Sequence, residues 1–125
     1  GIDVRIITPH IPDKWYVHML SRAHYEQLVK CGVKVYEYTP GFIHSKVFAV
    51  DGQFATVGTI NLDYRSLYLH FEDGVFLYGA DCVGDVYRDF AETFAASQEI
   101  GLEQCKARPI TRLMRAVLRL LAPLM

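Results

Sequence analysis

Two short β-branched runs, Val4 to Thr8 and Val33 to Tyr38, stand on either side of a segment whose apolar positions recur every three or four residues. That order admits few folds. A strand, a helix and a second strand in succession form a parallel βαβ unit, because parallel neighbours need a crossover that returns the chain to the same end of the sheet. Pro9 and Pro12 close the first run, and Asp13 is placed to cap the helix that follows. From Trp15 to Cys31 the stripe is Val17, Leu20, His24, Leu28 and Cys31, with Gly32 as the expected stop. Thr39, Pro40 and Gly41 then break the second strand.

Downstream the pairing changes sense. Ile43 to Val50 and Phe54 to Val57 are strand candidates joined by Asp51, Gly52 and Gln53, and Asp and Gly tolerate the positive φ angles of a tight hairpin. Leu62 to Leu69 is a polar and aromatic connection whose conformation stays open. Phe71 to Tyr78 reads as another strand. Ala80 to Gln98 reads as a helix capped by Asp81, with Val83, Val86, Tyr87, Phe90 and Phe94 along its apolar stripe. The fold class is therefore α/β, a mixed β-sheet flanked by α-helices.

With 125 residues, about half of them hydrophobic, the chain suits a single domain over 1–125. Gly1 runs straight into Ile2, Asp3 and Val4, which reads as a piece of a longer protein whose missing part lies upstream. A net charge of −1 argues against a general nucleic-acid binder. Cys31, Cys82 and Cys105 are odd in number and contain no Cys-x-x-Cys pair, so neither a disulfide framework nor a zinc site is expected, and a reducing, cytosol-facing setting is the simpler reading. No apolar run is long enough to span a bilayer. The closing segment, 108–125, carries Arg112, Arg115 and Arg119 along one side of a helix, with Leu113, Val117, Leu120 and Leu121 around the other and Pro123 at its end. It is either a terminal helix packed on the domain with solvated arginines, or a basic amphipathic helix resting on anionic lipid headgroups.

The chemistry concentrates between Gly41 and Asn61. On a strand His44 and Lys46 share a face, and an imidazole beside an ammonium is unfavourable unless an anion lies between them. A phosphate fits, with Lys46 binding a non-bridging oxygen and His44 approaching phosphorus or the departing oxygen. Reversal at Asp51 and Gly52 returns Gly58, Thr59 and Asn61 toward His44, where the Asn61 amide donates to the same oxygens and Gly58 permits close approach. Histidine serves either as a nucleophile toward phosphorus or as a general acid and base. Glu72, expected on the next strand, is the nearest carboxylate for orienting the ring, while Asp73 should face the other way.

These residues resemble the phospholipase D superfamily, whose pattern His-x-Lys-x4-Asp-x6-Gly-Ser/Thr-x-Asn is met at His44, Lys46, Asp51, Gly58, Thr59 and Asn61. The surrounding text, Tyr36 to His44 and Gly58 to Ser66 running on to Phe71 and Glu72, is similar to the second motif of the bacterial cardiolipin synthase branch. The closing residues from Leu121 to Met125 look like the natural end of that family. The resemblance implies a phospholipase D-like half-domain and a metal-independent, cofactor-free transfer through a phosphohistidine, with one histidine from each of two motifs. It implies phosphatidylglycerol as substrate and cardiolipin as product, at a cell membrane. His44, in the second motif, would be the general acid and base; Lys46, Gly58, Thr59 and Asn61 would bind phosphate; and Glu72 would orient His44. Asp51, though in the motif, falls at the turn, where a structural hydrogen-bonding role is expected. The missing N-terminal half, or a homodimer partner, would complete the site. Other superfamily phosphodiester chemistry, or a non-catalytic lipid-binding or dimerisation half, are the competing readings.

Other polar residues have plainer expectations. His18 and His24 are read as packing or surface residues of the first helix, and His10 as a strand-end residue that could touch substrate. Arg65 and His70 flank the motif as headgroup or supporting contacts, and Tyr64 and Tyr68 could border an acyl-chain groove.

Overall fold

The expected βαβ unit forms. β1 (Arg5–Pro9) and β2 (Lys34–Tyr38) pair in parallel, with Ile6 opposite Val35 and Thr8 opposite Glu37, and α1 (Trp15–Lys30) connects them. The computed structural model describes residues 1–107 and 109–121; the expected helix stop at Pro123, and the rest of 122–125, lie outside the described residues.

Gly32 ends α1 as its backbone freedom allows. It sits at φ +87°, its N–H donates to the Val29 carbonyl at 3.0 Å, and the Val33 N–H donates to Leu28 at 3.0 Å. That pair of bonds is the Schellman arrangement, and it places Val33 and Leu28 together against the core. The start of α1 departs from expectation: the N-cap is Lys14, not Asp13, and no side chain caps the helix. Its stripe is rotated too. Ala23 and Tyr25 are buried and Leu20 and Leu28 half-buried, whereas Val17, His24 and Cys31 are exposed. The reason is that α1 is covered by more than the sheet, since α3 (Leu102–Cys105) and α4 (Pro109–Leu121) also pack on it.

The helix expected over Ala80 to Gln98 is shorter. α2 spans Cys82–Ala95, and Ser97–Glu99 turns back as β6, antiparallel to β2 with Tyr36 opposite Glu99. The Ile100 N–H then donates to the Val35 carbonyl at 2.8 Å. Tyr25, Val35, Ile100 and Cys105 form the buried cluster that results.

The remaining strands build a second sheet. β3 (Val47–Val50), β4 (Phe54–Gly58) and β5 (Gly74–Tyr78) are antiparallel throughout, in the order β3-β4-β5. The class is α/β as expected, with the strands divided between two three-stranded sheets, the mixed one ordered β1-β2-β6. Asp51 and Gly52 adopt φ of 51° and 68°, and the Gln53 N–H donates to Val50 at 3.2 Å. Positive φ at both central positions is the requirement of a type I′ turn. The Gly52 N–H donates to the Tyr87 hydroxyl at 2.8 Å, tying the hairpin tip to α2. Along α2 the expected stripe holds, with Val83 buried and Val86, Tyr87, Phe90 and Phe94 half-buried.

The chain divides into two compact units, residues 1–43 with 96–125, and residues 44–95. All of the motif, from His44 to Glu72, falls within the second.

Candidate active site

In the second unit the ladder between β3 and β4 decides where the motif's side chains stand. Its last bond runs from the Gly58 N–H to the Lys46 carbonyl at 3.2 Å. The next amide along, Thr59, turns the other way and donates to Asp73 at 2.8 Å. His44 therefore lies beyond the paired region, and β3 begins at Val47 instead of Ile43. His44 and Lys46 lie on the segment leading into the strand, His44 exposed and Lys46 half-buried. The Lys46 ammonium donates to the His44 backbone carbonyl at 2.8 Å, so the two residues are held together by a bond from side chain to backbone.

Gly58 has a strict steric reason. A Cβ there would come within 2.3 Å of the Asp73 carbonyl oxygen and 2.6 Å of the Gly74 Cα. Both contacts are backbone, so nothing in the neighbourhood yields easily. Gly58 and Gly74 are register partners, and any larger residue at Gly58 would force β4 and β5 apart. The close approach that sequence reasoning assigned to substrate is made by the protein's own next strand.

That approach brings Thr59 against the residues preceding β5. The Thr59 hydroxyl donates to the Glu72 carboxylate and accepts the Asp73 N–H at 3.0 Å. Glu72 lies two residues ahead of β5, not on it, because the strand pairing starts only at Gly74. Hydrogen bonds from Thr59 and then Ser66 hold the Glu72 carboxyl below the usual carboxylate range; desolvation opposes this, and the charges of His70 and Lys46 add to the lowering. Lys46, Thr59, Ser66 and His70 thus all act on Glu72 at one end of the sheet.

Ser66 is the residue that sequence reasoning passed over. It is buried, and its backbone N–H donates to the Asp63 carboxylate at 2.8 Å. The signal was present in Asp63-x-x-Ser66, a spacing at which an aspartate side chain captures a nearby amide. The unassigned connection is a single π-helical turn, Arg65–Leu69, closed by the His70 N–H on the Arg65 carbonyl at 2.7 Å. Such turns concentrate at functional sites. Arg65 Nε donates to His70 Nε2 at 2.8 Å. Tyr64 and Tyr68 remain exposed, their rings 6.0 Å apart.

One motif residue stands apart from this group. Asp51 is at the opposite end of β3 from Lys46, five residues further along the chain or roughly 17 Å. The structure does not bring it to the end of β3 where Lys46 lies. Its left-handed backbone makes it a turn residue. Asn61 is exposed on the segment between β4 and the π turn.

The family described as "Cardiolipin synthase, PLD-like domain" matches residues 1–95. The chain belongs to this cardiolipin synthase family of phospholipase D-like domains. Among its relatives are proteins named cardiolipin synthase from Geobacillus kaustophilus, 47% identical, and Geobacillus thermodenitrificans, 45% identical, each aligned over the whole chain and 25% of the relative. A protein named cardiolipin synthase 2 from Bacillus anthracis is 42% identical over the whole chain and 24% of its own length. The chain thus spans about a quarter of the length of these curated relatives.

In this phospholipase D-like domain the other histidines have local partners or settings. His10, in the first unit, meets the buried Glu37 carboxylate at 2.9 Å, and Arg22 Nε lies 3.3 Å from the other oxygen. His18 is half-buried on α1, where burial, followed by attraction to Glu37 in the opposite sense, leaves its pKa lowered. Among the described residues no group of three or more His, Cys, Asp or Glu is placed to hold a metal ion.

Proposed function

We propose that the full-length protein is a cardiolipin synthase that transfers a phosphatidyl group from one phosphatidylglycerol to the hydroxyl of another, releasing glycerol. In the first step a histidine of the other motif attacks phosphorus, the bond from phosphorus to the glycerol oxygen breaks, and protonated His44 gives its proton to that departing oxygen. In the second, neutral His44 takes the proton of the acceptor hydroxyl as its oxygen attacks phosphorus, and the phosphorus–nitrogen bond breaks. Lys46 and the Asn61 amide neutralise and orient the phosphoryl oxygens, with the Gly58 and Thr59 segment shaping that wall. Glu72 steadies the His44 imidazolium.

What supports this reading is the gathering of Lys46, Gly58, Thr59 and Glu72 at the end of the sheet where the segment carrying His44 leads into β3. An ionised carboxylate and a lysine in the same motif as an exposed histidine would supply a proton-transfer group and an anion site together. The other histidine comes from the N-terminal part of the full-length chain or from a second copy, and the reaction takes place at a membrane, with the catalytic domain facing the cytoplasm.

The test is product analysis with the full-length enzyme, phosphatidylglycerol and EDTA. Cardiolipin and glycerol are the expected products, and His44→Ala abolishes both. Phosphatidic acid as the main product would replace the transferase reading with a hydrolase. Undiminished cardiolipin formation by His44→Ala would remove this motif from the chemistry.

A further inference from the structure

Arg65 and His70 stand at the two ends of the π-helical turn, which the His70 N–H closes on the Arg65 carbonyl at 2.7 Å. That wider turn sets residues five apart side by side, where an α-helical turn would rotate them about 140° from each other. Their side chains meet as well, Arg65 Nε donating to His70 Nε2 at 2.8 Å. With Nε engaged, the guanidinium is fixed at one edge and its Nη1 and Nη2 remain as a pair. Among the described residues those two nitrogens have no partner, and no carboxylate lies within ion-pair distance of Arg65, whereas Arg5, Arg22 and Arg88 each have one. Asp63, the acid two residues ahead, is taken up by the Ser66 N–H at 2.8 Å. Both Arg65 and His70 are exposed.

Two basic side chains in contact without an acid between them favour an anion from outside. The geometry of the free edge selects its kind, since two parallel N–H groups match two oxygens of a phosphate and bind them together. The pair lies at the motif's end of the sheet: the charges of His70 and of Lys46 both act on the Glu72 carboxyl. An anion on Arg65 would therefore be a second phosphate near the one assigned to Lys46.

The proposed transfer needs such a second site. Of the two phosphodiesters it brings together, only the donor's reacts; the acceptor's keeps its negative charge throughout. Placing two anions a glycerol's length apart is unfavourable unless each has a cation of its own.

We propose that Arg65, oriented by His70, binds the unreacting phosphodiester of the acceptor phosphatidylglycerol. This rests on the transfer reaction proposed above and adds to it a choice of acceptor. Lys46 and the segment from Gly58 to Asn61 hold the phosphatidyl group, and Arg65 selects the molecule to which it is handed. Glycerol, an alcohol without a phosphate, gains nothing from Arg65.

The experiment gives the full-length enzyme phosphatidylglycerol together with labelled glycerol and follows two products, cardiolipin and phosphatidylglycerol that has taken up label. Both require the donor step, and only cardiolipin requires the acceptor phosphate. Their ratio is read from the same folded molecules, so it does not depend on how much of a variant folds. Arg65→Ala should lower the ratio of cardiolipin to labelled phosphatidylglycerol about tenfold or more, the usual effect of losing hydrogen bonds to a charged group. Arg65→Lys should recover part of it, returning the charge without the paired donors. His70→Ala, which releases the guanidinium from its anchor, should lower the ratio by a smaller factor. An unchanged ratio in Arg65→Ala, with the parent forming both products, would overturn the site and leave the reaction standing. A parent enzyme that takes up labelled glycerol and forms no cardiolipin would refute the reaction itself, and with it the acceptor assigned to Arg65.

Discussion

The two units of this domain are held together by different means. In the first, Tyr25, Val35, Ile100 and Cys105 form a closed cluster, and Val35 is entirely inaccessible. Around it the Tyr25 hydroxyl meets Thr8 at 2.6 Å, burial first among the causes that push its phenol up to about 12. In the second, Ala55 and Val83 are the buried apolar residues among those described, and one sheet face leaves Phe48, Val50, Phe76 and Tyr78 exposed. Order there comes from backbone fit: the turn at Asp51 and Gly52, the contact of Gly58 with β5, and the Thr59 hydroxyl. The comparison separates a part that supplies its own packing from a part that spends its residues on placement.

The strongest break of that comparison is Gly58→Ala. A methyl within 2.3 Å of a backbone oxygen cannot be housed without moving β4 or β5, and Thr59 and Glu72 move with them. The expected outcome is a loss of turnover of about a hundredfold or more, as for other sub-ångström misplacements of a catalytic group. Hydrogen exchange should quicken in β4 and β5 and stay unchanged in β1 and β2. Uniform quickening across both units would show that the second has no separate mode of ordering.

Glu37→Ala tests the other side. It strips the shared acceptor from His10 and Arg22 and leaves the guanidinium facing a cavity, at an expected cost of about 3 kcal/mol. The melting temperature should fall while the residual activity of the folded fraction stays near that of the parent. A collapse of turnover without a change in melting would instead make Glu37 part of the chemistry.

Gly32→Ala is smaller. Its φ of +87° strains any L side chain, although nothing lies within 4 Å of the added methyl, so the expected cost is about 1 kcal/mol, read by denaturant midpoint. An unchanged midpoint would mean that the C-terminal bonds of α1 contribute little.

What could be read from the sequence follows the same division. Features with a local cause were legible: the stop at Gly32, the Asp51-Gly52 turn, and the stripe from Val83 to Phe94. Features decided by a distant partner were not. Ser97–Glu99 carries no β-branched residue and becomes a strand only because β2 offers it an edge. The α1 stripe was misplaced because two further helices cover that helix. β3 and β5 were drawn too long at their motif ends because the switch of amide direction between Gly58 and Thr59 is a property of three strands, invisible in any one of them. The His44, Lys46, Gly58 and Thr59 spacing was legible for the same reason as the turn, being local to one hairpin. The burial of Glu37 was missed because alternation along β2 gives no hint that a charged side chain points inward.

Thr59 offers the finest test, because it acts on a proton equilibrium instead of on packing. Its hydroxyl is the first-named cause of the lowered Glu72 pKa, ahead of Ser66. A carboxyl lowered in the folded state favours folding above the ordinary carboxylate range and loses that contribution as the pH falls through the folded value. Thr59→Val removes the donor with little change of volume, so Glu72 titrates at higher pH and the acid limb of kcat/KM moves upward. Thr59→Ser keeps the hydroxyl and should leave the limb where it was. An unmoved limb in Thr59→Val would show that the ionisation governing catalysis belongs to another group, and would return Thr59 to a purely structural role between β4 and β5. A shift in Val alone would tie the motif's hydroxyl to the ionisation of Glu72, explaining in physical terms why this position accepts serine or threonine.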